Sequence, residues 1–277
     1  MTTTLKTWFE SLRVTLTSAR TLILAGLYAL LLVSFYFFIA TREATVWQVF
    51  VTYALLLLVP AEFFVFQATI LEFAREHKFV LKQIGLNALK LAVVTIPIVI
   101  VGAVVWWLMN KLQARYPAPP APIGLAPTPP KAQPIHWPTL ILTTLKFVLF
   151  GIAFPLAAIH LWIEASACDV RAAFAGGAKT IFGTIGRALG RAFSSESAFV
   201  YGLGLILFVL GPYLILLPRL PFKGAKTAFA MFSVQVVVAF ALILIGWIVT
   251  VTTLARANRT GEAVEIKAPV TVAESPA

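Results

Sequence analysis

The chain of 277 residues is 60% hydrophobic and 12% charged, with a mean hydropathy of +0.92, above the roughly 45–50% apolar share of soluble domains. Its 22 Lys and Arg outnumber 11 Asp and Glu, but they lie between apolar runs instead of in one stripe or block. They therefore read as topology signals of a membrane protein and not as a nucleic-acid surface. The single cysteine, Cys168, excludes an intramolecular disulfide and a cysteine-rich metal site.

In residues 1–20, Leu5, Trp8, Phe9, Leu12 and Leu16 recur at helical spacing while Lys6, Glu10 and Arg13 fall elsewhere. This predicts an amphipathic helix on the cytoplasmic membrane surface, with Trp8 at headgroup depth. The first apolar run, 21–40, is about twice the length of a signal-peptide core, and Thr41-Arg42-Glu43 offers no convincing small-residue cleavage site, so it is expected to stay as a helix. About twenty apolar residues span a hydrocarbon core of about 30 Å. Five more runs approach that length, at about 46–67, 91–108, 139–163, 197–217 and 227–254. The third is short and holds Pro97, and the last is long enough to tilt. No run alternates like a barrel strand, so the predicted fold class is all-α, a polytopic integral membrane protein of six transmembrane helices over 21–254, with interfacial helices.

The connections have their own character. Ile70, Phe73, Val80, Ile84 and Leu91 give the 69–90 segment an apolar face among Arg75, Lys78, Lys82 and Lys90. It reads as an interfacial helix or as a continuation of span two. The outer loop 109–138 holds nine of the 17 prolines, which favours extended polyproline geometry and a linker or docking peptide. The 169–197 connection is cationic and glycine-rich. Its Gly186 and Gly190 have the GxxxG spacing that lets helices approach closely, while the Gly-x-x-x-x-Gly-Lys-Ser/Thr order of a phosphate loop is absent. Arg171, Lys179, Arg187 and Arg191 are its candidate contacts to anionic lipid headgroups. The tail, 255–277, reads as flexible and cytoplasmic.

Fourteen Lys and Arg lie on the side of the two termini and the second and fourth connections, against seven on the other, which places both termini inside. Asn258-Arg259-Thr260 matches a glycosylation acceptor but would face the cytoplasm. A parallel internal repeat is suggested by Val59-Pro60-Ala61 and Phe154-Pro155-Leu156, each followed by a cationic amphipathic stretch.

The amphipathic N-terminus, and the stretch from Ile163-Glu164-Ala165 through Val170-Arg171-Ala172-Ala173 to Arg191, resemble a broad group of bacterial six-helix membrane proteins. That group includes the membrane domain found ahead of some glycerophosphodiester phosphodiesterases. The resemblance implies architecture and, since this sequence lacks a phosphodiesterase domain, little about activity.

Ionisable groups inside a bilayer cost roughly 2.5 kcal/mol or more, so they are functional candidates by default. Here they are Glu62, Lys146, His160 and Glu164. Pro60 and Pro155 are expected to kink spans two and four, Pro60 freeing a carbonyl near Glu62. His160 and Glu164 share a helical face. If spans two and four are neighbours, Glu62, His160 and Glu164 form a carboxylate–imidazole cluster suited to protons or cations. The preferred reading is plainer: Glu164 and His160 reach the headgroups, Lys146 snorkels outward, and Glu62 bonds a neighbouring helix. The three histidines, His77, His136 and His160, are scattered and form no His-Glu-x-x-His. The sequence points to a non-catalytic scaffold, partner subunit or envelope-associated factor of a bacterial-type inner membrane. It would need neither cofactor nor metal, and would contact the bilayer, anionic headgroups and a protein partner. The alternative is a small transporter or permease subunit.

Overall fold

A computed structural model describes residues 2–41, 45–76, 79–117, 136–168, 177–217 and 224–267. Most of the Pro-rich loop, Arg171, the side chain of Lys179 and the last ten residues lie outside the described residues. Those described form eight helices: α1 (Thr2–Thr17), α2 (Arg20–Ala40), α3 (Val46–Ala74), α4 (Leu81–Arg115), α5 (Trp137–Ala167), α6 (Gly177–Ala192), α7 (Ser195–Leu216) and α8 (Ala225–Lys267). Six of them, α2, α3, α4, α5, α7 and α8, are long and apolar enough to cross a membrane. The chain is thus an all-α polytopic membrane protein.

Local chemistry sets several helix ends. The Thr45 side chain accepts from the Gln48 N–H to cap α3, and Ser194 accepts from Ser197 to cap α7. Glu76 takes the left-handed φ of 60° just beyond α3, the conformation that commonly closes a helix C-terminus. Three helices run further than the apolar runs alone predict. α3 continues to Ala74 with Phe66–Ala74 buried, and α4 starts at Leu81, so the short third run is the middle of a 35-residue helix. α8 carries on to Lys267, where a flexible tail was expected. Its buried stretch Ile248–Ala255 supplies a nucleus, and adding residues to an existing helix costs little.

Two prolines act on the backbone in the same way. Leu149–Ala153 in α5 and Ile206–Leu210 in α7 each form a wide π turn, immediately before Phe154-Pro155 and Gly211-Pro212. Proline lacks an N–H and its ring collides with the carbonyl four residues back; a π turn relieves both. In α5 that carbonyl belongs to Gly151, and it accepts instead from the Tyr201 hydroxyl of α7 at 3.0 Å. Pro60 and Pro97 lie inside continuous α-helix.

The core gathers at the face that holds the start of α2 and the ends of α3, α5 and α8, called here the terminal face. Leu24, Ile70, Ile159, Ile248 and Leu254 are almost fully buried there. The opposite halves of the spans pack mainly as pairs and leave Leu57, Val99, Ile100, Trp107, Phe147 and Val237 exposed. Glycine enables one close approach. An added Cβ at Gly246 of α8 would lie 2.9 Å from Leu207 Cβ and 3.0 Å from the Phe208 backbone nitrogen, and one at Gly204 would collide with Thr250. Gly186 and Gly190 of α6 face nothing within 4 Å, so their GxxxG spacing marks no helix contact among the described residues.

α1 corrects a second expectation. It packs on α8 through Thr4, Trp8, Ser11 and Thr15, all buried, while Leu5, Phe9 and Leu16 are exposed. Trp8 therefore belongs to the protein core, not to headgroup depth. Thr4, Trp8, Ser11 and Thr15 recur at helical spacing, a stripe of small side chains around one indole that lets α1 lie close to α8.

Candidate functional site

The polar side chains inside the spans are held in separate sets. Glu62 on α3 turns to α2, where Ser34 donates to its Oε1 at 3.0 Å; its Oε2 is buried without a partner. His160, 1% exposed, has neither ring nitrogen hydrogen-bonded. Glu164, one turn on, receives the guanidinium of Arg191 from α6 at 2.6 Å. The three do not form one cluster, because Glu62 lies on the flank of α3 that meets α2 while α5 meets α3 through Phe63, Phe64 and Trp162. Glu164 does not reach headgroups alone; it fastens α6 to the bundle.

Lys146 sits towards the opposite face. Its ammonium donates to Asn110 at 2.8 Å and Gln113 at 2.5 Å and lies 4.9 Å over the Trp106 ring, tying α5 to α4. Tryptophans make further cross-helix links: Trp162 Nε1 donates to Thr95 at 2.8 Å, and Trp247 Nε1 to Gln67 at 3.0 Å. Each satisfies a polar atom that hydrocarbon would leave costly.

The terminal face carries the densest polar arrangement. Glu72, 1% exposed, accepts from Asn87 Nδ2 at 2.8 Å and lies 3.5 Å from Arg75. Arg75 also donates to the Ser166 carbonyl and hydroxyl at 3.0 and 2.8 Å, and Lys90 donates to the Cys168 carbonyl at 3.0 Å. The free carbonyls at the end of α5 thereby receive cations, as the negative end of a helix favours. Burial lowers the Arg75 pKa, Glu72 opposes that shift, and nearby Arg259 adds to it; guanidinium stays protonated regardless. Arg256 reaches Glu76 at 3.0 Å, and Arg20 the Glu76 carbonyl at 3.4 Å.

A pattern follows from these pairs. At the end of span two, Glu72 is held by Asn87 of the next helix; at the end of span four, Glu164 is held by Arg191 of the next helix. Glu72 lies beyond the apolar run that ends at Gln67, so hydropathy alone does not single it out.

Between α3, α5 and α8 the terminal face opens into a small pocket of about 40 Å³, continuous with the outside. Arg75, Glu164, Asn258 and Arg259 line it together with Leu71 and Ile163. Arg187 is exposed on α6, away from this pocket. Among the described residues no three His, Cys, Asp or Glu side chains converge to hold a metal ion. No protein-family model matches the chain, and no curated protein or solved structure does either.

Proposed function

We propose that this protein is a non-catalytic membrane subunit or scaffold that acts by assembly. The observation carrying this reading is the distribution of packing: the polar groups within the spans are used to fasten helices to one another, and the opposite halves of α3, α4, α5 and α8 leave bulky apolar side chains exposed. A bilayer covers such a surface, and so does another membrane helix. Purification in mild detergent with mass-spectrometric identification tests it. A stoichiometric membrane partner is expected; an isolated particle overturns the assembly reading.

The setting proposed is a bacterial-type inner membrane with both termini cytoplasmic. Its support is the excess of Lys and Arg on the terminal face. Lys6, Arg13 and Arg187 there are also suited to anionic headgroups.

One observation favours a second reading, proton or cation transport: His160 and Glu62 Oε2 are buried polar groups without hydrogen-bond partners, and such groups inside a membrane commonly mark ion pathways. Under that reading Glu62→Gln abolishes proton uptake into vesicles. Uptake that is unchanged removes it.

A further inference from the structure

We propose that the terminal-face pocket between α3, α5 and α8 is a binding site for a phosphate group, with Arg75, Arg259 and Asn258 as its donors. Its charge is suited to an oxyanion. Glu164, the carboxylate that lines the pocket, is matched by Arg191, Arg75 is matched by Glu72 beside it, and among the described side chains Arg259 adds a further cation to the lining. Arg75 and Arg259 are close enough for like-charge repulsion, which is a cause of the lowered Arg75 pKa. An anion seated between them replaces that repulsion with two attractions.

Donor chemistry points the same way. Asn258 Nδ2 is covered yet has no acceptor, and a buried donor left empty costs about as much as a lost hydrogen bond. Arg75 uses Nη1 and Nη2 on Ser166 but has five N–H groups, so donors are left over. Guanidinium and amide N–H groups together form the planar, multiple-donor surface that phosphate oxygens accept from. Leu71 and Ile163 add apolar atoms to the lining. Cationic donors beside apolar atoms suit the headgroup region of an anionic phospholipid; the same donors fit free phosphate.

Full-length protein in phosphatidylcholine nanodiscs, titrated with phosphatidylglycerol and read by native mass spectrometry, tests this, with inorganic phosphate titrated calorimetrically in parallel. Wild type is expected to retain one tightly held phosphatidylglycerol or to bind one phosphate. Arg259→Ala and Asn258→Asp each lower that affinity roughly ten-fold or more, the loss of one charge-assisted hydrogen bond. Arg259 is exposed, so its variant folds, and Arg75 is left alone because it holds the end of α5. Lys82→Ala, exposed and outside the pocket, serves as the control and leaves binding unchanged. Lipid retention that phosphate does not displace assigns a headgroup as the source; saturable phosphate binding without lipid retention assigns the free anion. The proposal is overturned if neither probe binds, if the two pocket variants bind as wild type, or if Lys82→Ala weakens binding as much as they do.

Discussion

Replacing Gly246 with alanine tests the account of how α8 seats against the wide turn of α7. The new methyl carbon would meet Leu207 Cβ at 2.9 Å, with Phe208 Cβ and the Phe208 backbone nitrogen at 3.0 Å. Carbon atoms settle at about 3.5–4.0 Å, so one helix must shift by about 0.5–1 Å, and a backbone atom cannot rotate aside. Overpacking of this kind costs about 1–3 kcal/mol. Alanine returns about 0.5–1 kcal/mol through its greater helix propensity, leaving a net destabilisation centred near about 1 kcal/mol. Unfolding in mixed micelles, followed by circular dichroism across a sodium dodecyl sulfate titration, reads it. Gly186→Ala is the paired control: nothing lies within 4 Å of it, and it is expected to be neutral or slightly stabilising. The reasoning fails if Gly246→Ala unfolds with the wild type, or if Gly186→Ala is the more damaging of the two. Gly204→Ala adds a directional check, because its obstacle is the Thr250 side chain; Thr250→Ala in the same chain restores part of the lost stability.

Three other outcomes are expected. Arg191→Ala leaves Glu164, whose side chain is only 10% exposed, without its cation, costing roughly 1–3 kcal/mol; protease cleavage within α6 accelerates, and Glu164→Gln in the same chain recovers most of the loss. Tyr201→Phe removes the donor to Gly151 and costs about 1–2 kcal/mol, read as a lowered unfolding midpoint with faster amide exchange around Phe154; unaltered exchange there rejects the role given to the hydroxyl. Cys168, the single cysteine and partly exposed, stays unlabelled by an impermeant maleimide in intact cells and reacts after permeabilisation. Labelling of intact cells inverts the proposed topology.

The six spans were legible because hydropathy summed over twenty residues needs no knowledge of neighbours. Direction around each helix was not. Glu62 and Glu164 stand out in the sequence as ionisable residues within apolar runs, but nothing in the spacing says that one faces Ser34 and the other Arg191. Those partners lie 28 and 27 residues away on helices whose rotation is set by packing. Glycine spacing misled for the same reason: Gly186 and Gly190 have the close-approach interval and meet nothing, whereas Gly204 and Gly246 lie in different spans and share no interval that a local pattern can hold. Pro155 and Pro212 leave π turns while Pro60 and Pro97 do not. At Pro155 the released carbonyl is met by the Tyr201 hydroxyl from 50 residues downstream, a partner that local spacing does not reveal.

The links of α8 join the two ends of the chain: Trp247 to Gln67 and Arg256 to Glu76, each across 180 residues, and its inner stretch packs against α1. Biogenesis therefore has a closing step. Until the sixth span enters the membrane, Gln67 lacks the Trp247 indole, and the amino-terminal helix lacks its main support, having only its smaller contact with α7. Contacts of such long range form late. A ribosome halted before α8 leaves the earlier spans without these links, and α8 serves as the latch that ties them together.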